Sequence, residues 1–390
     1  MNLNMKEKKA NFNVNVNTVN TAIGILFSQM DGILSQAQLS YYDFLYMGLE
    51  SIKKMRAHER ALIEDIQLDP FRTEFEPEPH KRSFFNMLEK KIKPGESLML
   101  FSVALPYPRQ TTGLSKSLGV VDGSSWYYDY HYHLRARMDN ALKIFSEIEG
   151  IRIKESDCFV DTSDYIDREL AFLCGLGSYG KNHMLIHPEL GTQFHIGHMY
   201  MILGEQEHSL FSKVESESAL NARRHYTGCK ECDKCVKACP AGICGVLKMN
   251  RLKCISYLTQ TKRALTLDEM KRMRNRIYGC DICQNACPSN RARDENKTNL
   301  RHIDHWLVND FEGIDLLESL KLSQRAFKRQ YGERGFAWRG GKIFKRNILI
   351  AIGNSKDPSF FKSIKELAEL NEDVFLQPYY EYALIGTKPV

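Results

Sequence analysis

The chain of 390 residues lacks the features that mark membrane and secreted proteins. No uninterrupted apolar run approaches the ~20 residues that a membrane-spanning helix needs, and the charged chain shows no secretory signal. We therefore expect a soluble, cytoplasmic protein without a membrane partner. At this length the chain can hold two or three domains with a sizeable core.

A strong excess of charge and the common nucleotide-binding motifs are also missing. The net charge of +6 is modest for this length, so nucleic-acid binding needs a local argument. The glycine-rich residues 175–182 have neither the spacing of a P-loop nor that of a dinucleotide-binding turn. They therefore do not indicate nucleotide binding by either mechanism.

Cysteine, by contrast, is plentiful, and eight of the 11 cysteines form two ordered sets. The first set has the C-x2-C-x2-C-x3-C-P spacing of two-cluster ferredoxins, in which the fourth cysteine serves the other cluster. The second set follows at residues 254–287 and ends in another Cys-Pro. We expect one [4Fe–4S] cluster on Cys229, Cys232, Cys235 and Cys287. We expect a second on Cys239, Cys254, Cys280 and Cys283.

Zinc is the main alternative, because C-x2-C pairs also suit tetrahedral thiolate sites. Against zinc, the third cysteine at x2 and the fourth at x3 before proline are typical of iron–sulfur ligation. A disulfide framework is disfavoured in a charged chain without a secretory signal. Three cysteines lie outside the pattern, and we interpret Cys158, Cys174 and Cys244 as small buried hydrophobic residues.

The region before the cysteines alternates apolar runs with turns. Residues 97–105 predict a buried strand, and residues 21–66 have mainly helical periodicity. Residues 159–162 predict a strand ending in an acid, Asp161, where a carboxylate is well placed for proton transfer, although a lone Asp is also a common helix cap. The aromatic and histidine cluster at 126–133 either packs and caps the following helix or lines a pocket for a large planar ligand.

Several segments taken together resemble the epoxyqueuosine reductase family. They are Val160-Asp161-Thr162, Gly175-Leu176-Gly177 with Lys181-Asn182, residues 254–259 (CISYLT), residues 275–284 (NRIYGCDICQ), and residues 337–340 (AWRG) with Arg346-Asn347. The resemblance extends from about residue 75 to the C-terminus. It implies a cobalamin-dependent enzyme with two [4Fe–4S] clusters that reduces epoxyqueuosine in tRNA to queuosine, the last step of queuosine biosynthesis.

The resemblance also implies roles for individual residues. Asp161 becomes the proton donor to the epoxide oxygen, with a pKa that burial beside the corrin would raise. Predicted cobalamin contacts, through side chain or backbone, are Arg82, Asp161, Leu185, Ile196, Ser256 and Asp281. The segment Asp129-Tyr130-His131 matches a family motif, whereas residues 1–70 and the loop containing Asp122 depart from the family pattern.

The implied fold is α/β (α+β) with four regions. We expect an N-terminal helical region at 1–70 and a cobalamin-binding catalytic domain with a mixed sheet at 71–215. A ferredoxin-like two-[4Fe–4S] domain follows at 216–300. Residues 301–390 complete the chain as a helical, HEAT-like, basic tRNA-binding region.

The basic bias at residues 321–346 is the local argument for RNA. These residues include nine lysines and arginines, among them Lys345 and Arg346, and a single acid, Glu333. Four aromatic residues are interleaved with the basic ones: Phe327, Tyr331, Phe336 and Trp338. This pattern favours contact with RNA over a merely solvated helix face, and the resemblance implies that the RNA is a tRNA anticodon stem-loop. We expect a monomer that receives electrons from a ferredoxin or flavodoxin. The alternatives are a dehalogenase-like corrinoid reductase acting on a small molecule and a ferredoxin-type electron carrier.

Overall fold

The computed structural model describes residues 42–48, 52–53, 83–107, 115–147, 152–161, 165–204, 229, 231–246, 249–295 and 313–389. For 42–48 and 292–295 it describes the backbone alone. Arg82 lies outside these ranges. Across them, no helix is long and apolar enough to cross a membrane.

The central sheet has the strand order β1-β2-β7-β4. Its strands are β1 (Tyr42–Gly48), β2 (Ser97–Pro106), β4 (Ile153–Val160) and β7 (Phe194–Leu203). All three pairings are antiparallel, so the mixed sheet that we expected here is wrong. Among the described strands, parallel pairing occurs in a smaller sheet, where β3 (Leu118–Val121) lies between β8 (Arg276–Tyr278) and β9 (Ile314–Asp315) and runs parallel to β8.

Strand β2 is buried along its whole length, as the apolar run predicted. Successive side chains of a strand point to opposite faces. Met99 and Phe101 accordingly join one hydrophobic core, while Leu98 and Leu100 join another. The sheet therefore has apolar cover on both sides.

The helical prediction for residues 21–66 is wrong at β1. Residues 42–48 pair along their whole length with 97–103 of β2. This pairing supplies backbone hydrogen bonds from a distant part of the chain, and such tertiary interactions override local periodicity. The edge strand of the central sheet therefore comes from before residue 71. The rest of the predicted N-terminal helical region lies outside the described residues, apart from helical residues 52–53.

Helices cover the two faces of the central sheet. Helix α1 (Phe84–Lys91) begins after Ser83, whose Oγ accepts a hydrogen bond from Asn86 N, and it buries Phe84, Phe85 and Leu88. Helix α2 (Tyr130–Ser146) packs Leu134, Met138 and Phe145 into the opposite core. Helix α3 (Asp167–Cys174) ends at Gly175, which has a left-handed backbone (φ 96°). A two-stranded ribbon follows, formed by β5 (Ser178–Tyr179) and β6 (Leu185–Ile186).

The cysteine-containing segment consists of short helices. They are α4 (Lys234–Ala238), a 3₁₀ turn (Arg251–Lys253), α5 (Ile255–Leu258), α6 (Leu267–Met273), α7 (Ile282–Asn285) and α8 (Pro288–Glu295). The segment docks against the turn before β7 through Asn290, which is buried. The Asn290 side chain donates to Gln284 O and Thr192 Oγ1 and accepts from Thr192 N.

The C-terminal region is helical, as predicted. It contains α9 (Leu316–Lys321), α10 (Gln324–Tyr331), a 3₁₀ turn (Ala337–Arg339), α11 (Gly340–Ser355), a 3₁₀ turn (Pro358–Phe360), α12 (Phe361–Glu369) and α13 (Gln377–Thr387). Two buried residues of α11 join it to the cysteine segment. Arg346 donates to the carbonyls of Leu258 and Thr261, and Asn347 donates to those of Thr259 and Ile277. The HEAT-like character and the domain boundaries stay predictions.

Candidate active site and cysteine centres

Four cysteines from two distant parts of the chain border one cavity. Cys229, Cys232, Cys235 and Cys287 line it, together with Lys181, Asn182 and Ile186 of the ribbon before β7. Helix α4 carries Cys235, and α8 begins directly after Cys287. The structure therefore brings together the four cysteines that the spacing predicted for the first cluster. Within the described ranges, no three His, Cys, Asp or Glu side chains converge as closely as a single metal ion requires.

The remaining ordered cysteines form a second group at the start of α5 and around α7. Cys254 lies near Cys239 and Cys280. Burial raises the pKa of the Cys280 thiol to about 12, and the nearby Cys254 adds to this shift. Cys283 is connected to the group through the side chain of Cys244, which hydrogen-bonds with both Cys239 and Cys283.

Cys158, Cys174 and Cys244 are all buried, as predicted. For Cys244 the description as a hydrophobic residue is nevertheless incomplete, because its thiol belongs to the second group. The sequence signal was its position, five residues after Cys239 and across a Pro-Ala-Gly turn.

Asp161 follows β4 directly and is held against the start of α2. Tyr130 Oη donates a hydrogen bond to Asp161 Oδ2 over 3.1 Å, and His131 Nε2 lies 3.7 Å from the same oxygen. The Asp161 side chain is 67% exposed. The N-cap of the following helix is Ile166, so Asp161 is not the cap of α3. Its carboxylate is open to a ligand from the solvent side.

His131 is oriented and charged by its neighbours. Asp129 caps α2 by accepting from His131 N, and its Oδ1 also lies 2.5 Å from His131 Nδ1. Burial lowers the pKa of His131, but the hydrogen bond with Asp129 and the negative charges of Asp129 and Asp161 outweigh it and raise the pKa to about 9. An imidazolium therefore faces Asp161 at neutral pH. In contrast, burial lowers the pKa of His195 to about 3, so that ring is neutral.

An aromatic column leads from Asp161 to the cysteine segment. The rings of Tyr130 and His195 stack with centroids 3.6 Å apart and planes at 9°, and the His195 and Tyr107 centroids are 4.8 Å apart. Tyr107 Oη then donates to Gln284 Oε1 over 3.4 Å, and Gln284 is next to Cys283. Sequence reasoning missed His195 and Tyr107. The available signal was the pair His195 and His198 in the otherwise apolar, buried strand β7.

The predicted cobalamin contacts differ in what they can present to a ligand. Ile196 and Ser256 are half-buried, so their side chains are partly accessible. Leu185 is buried in the apolar cluster against which Ile196 packs. Asp281 is 3% exposed, and its carboxylate is paired with Arg276 at 2.9 Å. Contacts by Leu185 and Asp281 would therefore use the backbone.

The basic segment 321–346 is only partly a surface. Arg325, Lys328 and Arg329 are exposed on α10. Lys321 at the end of α9 and Lys342 in α11 are exposed as well. Arg346, in contrast, is 0% exposed, so our expectation that it contacts phosphate is wrong. Its guanidinium instead donates hydrogen bonds to backbone carbonyls that would otherwise be buried without partners.

The interleaved aromatic residues were also misread in part. Phe327, Tyr331 and Phe336 are buried and pack together around Phe344, because they occupy the inward face of the helices. Trp338 is the exception at 56% exposure, and the guanidinium of Arg339 lies 4.0 Å from the centre of its ring. Trp338 Nε1 also donates to Tyr278 Oη, just before Cys280.

The cysteine centres, and the exposed acid that the aromatic column connects to them, define an iron–sulfur oxidoreductase. Residues 228–290 match the family described as a 4Fe-4S double cluster binding domain, which decides against zinc. The chain is 32% identical over 291 residues to the epoxyqueuosine reductase of Staphylococcus aureus, covering 73% of this chain and 71% of the relative. It is 34% identical over 306 residues to that of Listeria monocytogenes, covering 77% and 74%. The chain belongs to the epoxyqueuosine reductase family.

Solved structures show the same fold. Epoxyqueuosine reductase from Streptococcus thermophilus superimposes with a TM-score of 0.68 at 24% identity, covering 94% of this chain and 91% of that one. An epoxyqueuosine reductase with a tRNA-Tyr epoxyqueuosine-modified tRNA stem loop superimposes with a TM-score of 0.65 at 24% identity, covering 93% and 100%.

Proposed function

We propose that this protein reduces epoxyqueuosine in a tRNA anticodon loop to queuosine, using two [4Fe–4S] clusters and a cobalamin. The arrangement at the end of β4 carries the proposal. There an exposed Asp161 carboxylate lies beside the imidazolium of His131, and an aromatic column joins it to the cysteine segment. Protons are available at one end of this arrangement and electrons at the other.

The chemical balance explains why both are needed. Conversion of an epoxide to an alkene consumes two electrons and two protons, and the oxygen leaves as water. The clusters held by the eight cysteines would accept electrons one at a time from an external donor of the ferredoxin or flavodoxin type. Cobalamin, when bound, supplies the strongly reducing centre for carbon–oxygen cleavage, the kind of chemistry that proteins leave to cofactors.

The ligand assignment follows from the two groups of cysteines. We assign the first cluster to the cavity bordered by Cys229, Cys232, Cys235 and Cys287. We assign the second to Cys239, Cys254, Cys280 and Cys283. Cobalamin would contact the side chains of Ile196 and Ser256 and the backbone at Leu185 and Asp281, and Arg82 remains a proposed contact.

We assign the delivery of a proton to the leaving oxygen to Asp161. The imidazolium of His131 first transfers its proton to the Asp161 carboxylate at Oδ2, over a separation of 3.7 Å that a small side-chain movement closes. As the carbon–oxygen bond breaks, Asp161 donates this proton to the leaving oxygen, which is general acid catalysis. The second proton of the departing water comes from solvent. Asp129 keeps Nε2 of His131 directed at Asp161 by binding Nδ1, and Tyr130 holds the carboxylate in place.

The tRNA surface is proposed on α10 and the turn after it. Arg325, Lys328 and Arg329 are spaced three and four residues apart, so they share one face of the helix, and all three are exposed. The exposed ring of Trp338 offers a stacking platform for an unpaired base. Trp338 is hydrogen-bonded to Tyr278. Burial is the main cause that raises the pKa of Tyr278, and the negative charge of Asp161 adds to it. Tyr278 therefore connects Trp338 to the surroundings of Asp161.

The central test is the Asp161→Asn variant, purified without oxygen and loaded with both cofactors. We expect it to retain iron, cobalamin and tRNA affinity, because Asn keeps the size of the side chain. Single-turnover conversion of an epoxyqueuosine-containing stem-loop, followed by mass spectrometry with a strong chemical reductant, should slow at least ~100-fold. Asp157→Asn, an exposed acid of β4 that pairs with Arg135, is the matched control. A rate near wild type for Asp161→Asn would exclude the acid role.

The pH dependence tests the role of His131. The charged groups that face it are Asp129 on its own element and Asp161 after β4, with the buried His195 of β7 nearby. Since the pKa of His131 is raised to about 9, its proton is present below that pH and lost above it. The single-turnover rate should therefore fall as the pH rises through about 9. His131→Gln should be about tenfold slower at pH 7 and lack this fall. An unchanged profile in the variant would exclude the relay.

A further inference from the structure

Asn182 is a buried amide at the wall of the first cysteine cavity. Its side chain is 5% exposed and lines the cavity together with the four thiols. Among the described residues, its Nδ2 is buried without a hydrogen-bond partner. A buried N–H of this kind is destabilising unless something accepts from it. Such groups in native proteins therefore call for an explanation.

The orientation of the amide is fixed by its other end. Asn182 Oδ1 accepts from Met184 N over 3.3 Å. Because a backbone N–H can only donate, the oxygen must face Met184, and Nδ2 must take the remaining side of the amide. The surrounding turn is tight, since a Cβ on Gly180 would lie 2.9 Å from Asn182 Oδ1. Nδ2 thus remains the donor available to the cavity.

The neighbouring residue anchors this turn to the cysteine segment. Lys181 O accepts from Gly245 N over 2.7 Å, and Lys181 Nζ pairs with Asp233 Oδ1 over 2.7 Å, two residues before Cys235. Asn182 therefore comes from the ribbon β5–β6 but is held beside a cavity built mainly by the cysteine segment. This position suits a contact between the two parts of the protein.

We propose that Asn182 Nδ2 donates a hydrogen bond to a sulfur of the [4Fe–4S] cluster held in this cavity and thereby raises its reduction potential. Hydrogen bonds to the sulfurs are one of the factors that set the potential of such clusters. The bond is stronger with the reduced cluster, because one added electron makes the sulfurs more negative. Asn182 thereby makes this cluster easier to reduce than it would be without the hydrogen bond. The proposal rests on the proposed ligand assignment but not on the identity of the substrate.

The test is a redox titration of the whole protein with reconstituted clusters, followed by electron paramagnetic resonance. Asn182→Leu should keep about eight iron atoms per chain but lower the equilibrium constant for reduction of one cluster about tenfold, which is about 59 mV for one electron. The other cluster should not change. Asn182→Asp should lower the potential further, because a carboxylate replaces a donor beside an anionic cluster.

A matched control separates this effect from a general loss of stability. Asn354 carries an amide that already donates to Met270 O and Arg274 O and does not line the cavity. Asn354→Ala should leave both potentials unchanged. Equal potentials for wild type and Asn182→Leu at full iron content would overturn the proposal, whatever the enzymatic activity of either protein.

A second measurement needs no variant. Protein containing ¹⁵N-labelled asparagine, reduced by one electron, should show coupling between the cluster spin and a side-chain amide nitrogen in pulsed resonance spectra. This coupling should disappear in Asn182→Asp. Its absence from the wild-type protein would also overturn the proposal, so the outcome stays clear even if Asn182→Leu fails to fold.

Discussion

The roles of the cysteine segment (229–287) and of the basic segment (321–346) are both predicted from the placement of one kind of residue along the chain. The structure agrees with the prediction for the cysteines more fully than with the prediction for the basic residues. The spacing of the cysteines placed Cys287 with Cys229, Cys232 and Cys235, and these four border one cavity. The excess of basic residues at 321–346 predicted a surface, but Arg346 is fully buried and joins two parts of the fold.

The difference has a physical origin. The x2 and x3 spacings of cysteines satisfy a coordination geometry, so they limit where each thiol can be. A count of charges contains no such limit, because it does not say which side of a helix faces water. The helical periodicity shows which basic residues face water. Residues 325, 328 and 329 share the face of α10 that lies opposite the buried Phe327 and Tyr331.

The largest effect is expected from the cysteine segment. Cys239→Ala should reduce the iron content from about eight to about four atoms per chain or fewer and abolish reduction of epoxyqueuosine, because cluster binding is coupled to folding. Cys244→Ala should keep the full iron content. The double variant tests whether Cys244, which hydrogen-bonds with Cys239, takes the place of the missing ligand. Full iron content in the double variant would contradict the assignment of Cys239.

A smaller effect is expected from Arg346, and it should be structural. Arg346→Met keeps the unbranched stem of the side chain but leaves the carbonyls of Leu258 and Thr261 without their donor. We expect a loss of about 3 kcal/mol in the free energy of unfolding, measured by anaerobic denaturant titration. The folded fraction should bind tRNA with normal affinity and normal salt dependence. Unchanged stability with weakened RNA binding would restore the phosphate interpretation.

The smallest effect is expected on the exposed face of α10. Lys328→Ala with Arg329→Ala should leave stability unchanged and weaken stem-loop binding about tenfold. The slope of log affinity against log salt should become shallower by about 0.7 for each phosphate that the helix no longer neutralises. Lys362→Ala with Lys365→Ala removes the same charge from exposed positions of α12 and is the control. Equal slopes in the two double variants would place the RNA elsewhere.

Much of the site could be predicted from sequence, and the failures share a cause. The strand before Asp161, the buried strand at 97–105 and the C-terminal helices follow from local periodicity. Strand β1 depends on pairing with β2, and the stack of His195 on Tyr130 depends on the register of β7 against β4 and β2. Such long-range pairings leave no periodic signal in a single sequence.

The backbone of Asp161 limits which amino acids this position accepts. Its φ of 37° lies in the left-handed region, which Gly, Asn and Asp adopt more readily than other residues, whereas β-branched side chains are strained there. Of these three residues, Asp alone can donate a proton from a carboxyl group. A glutamate would bring the acid but lack the conformational preference. The shape of the main chain and the chemistry of the reaction therefore select the same residue independently.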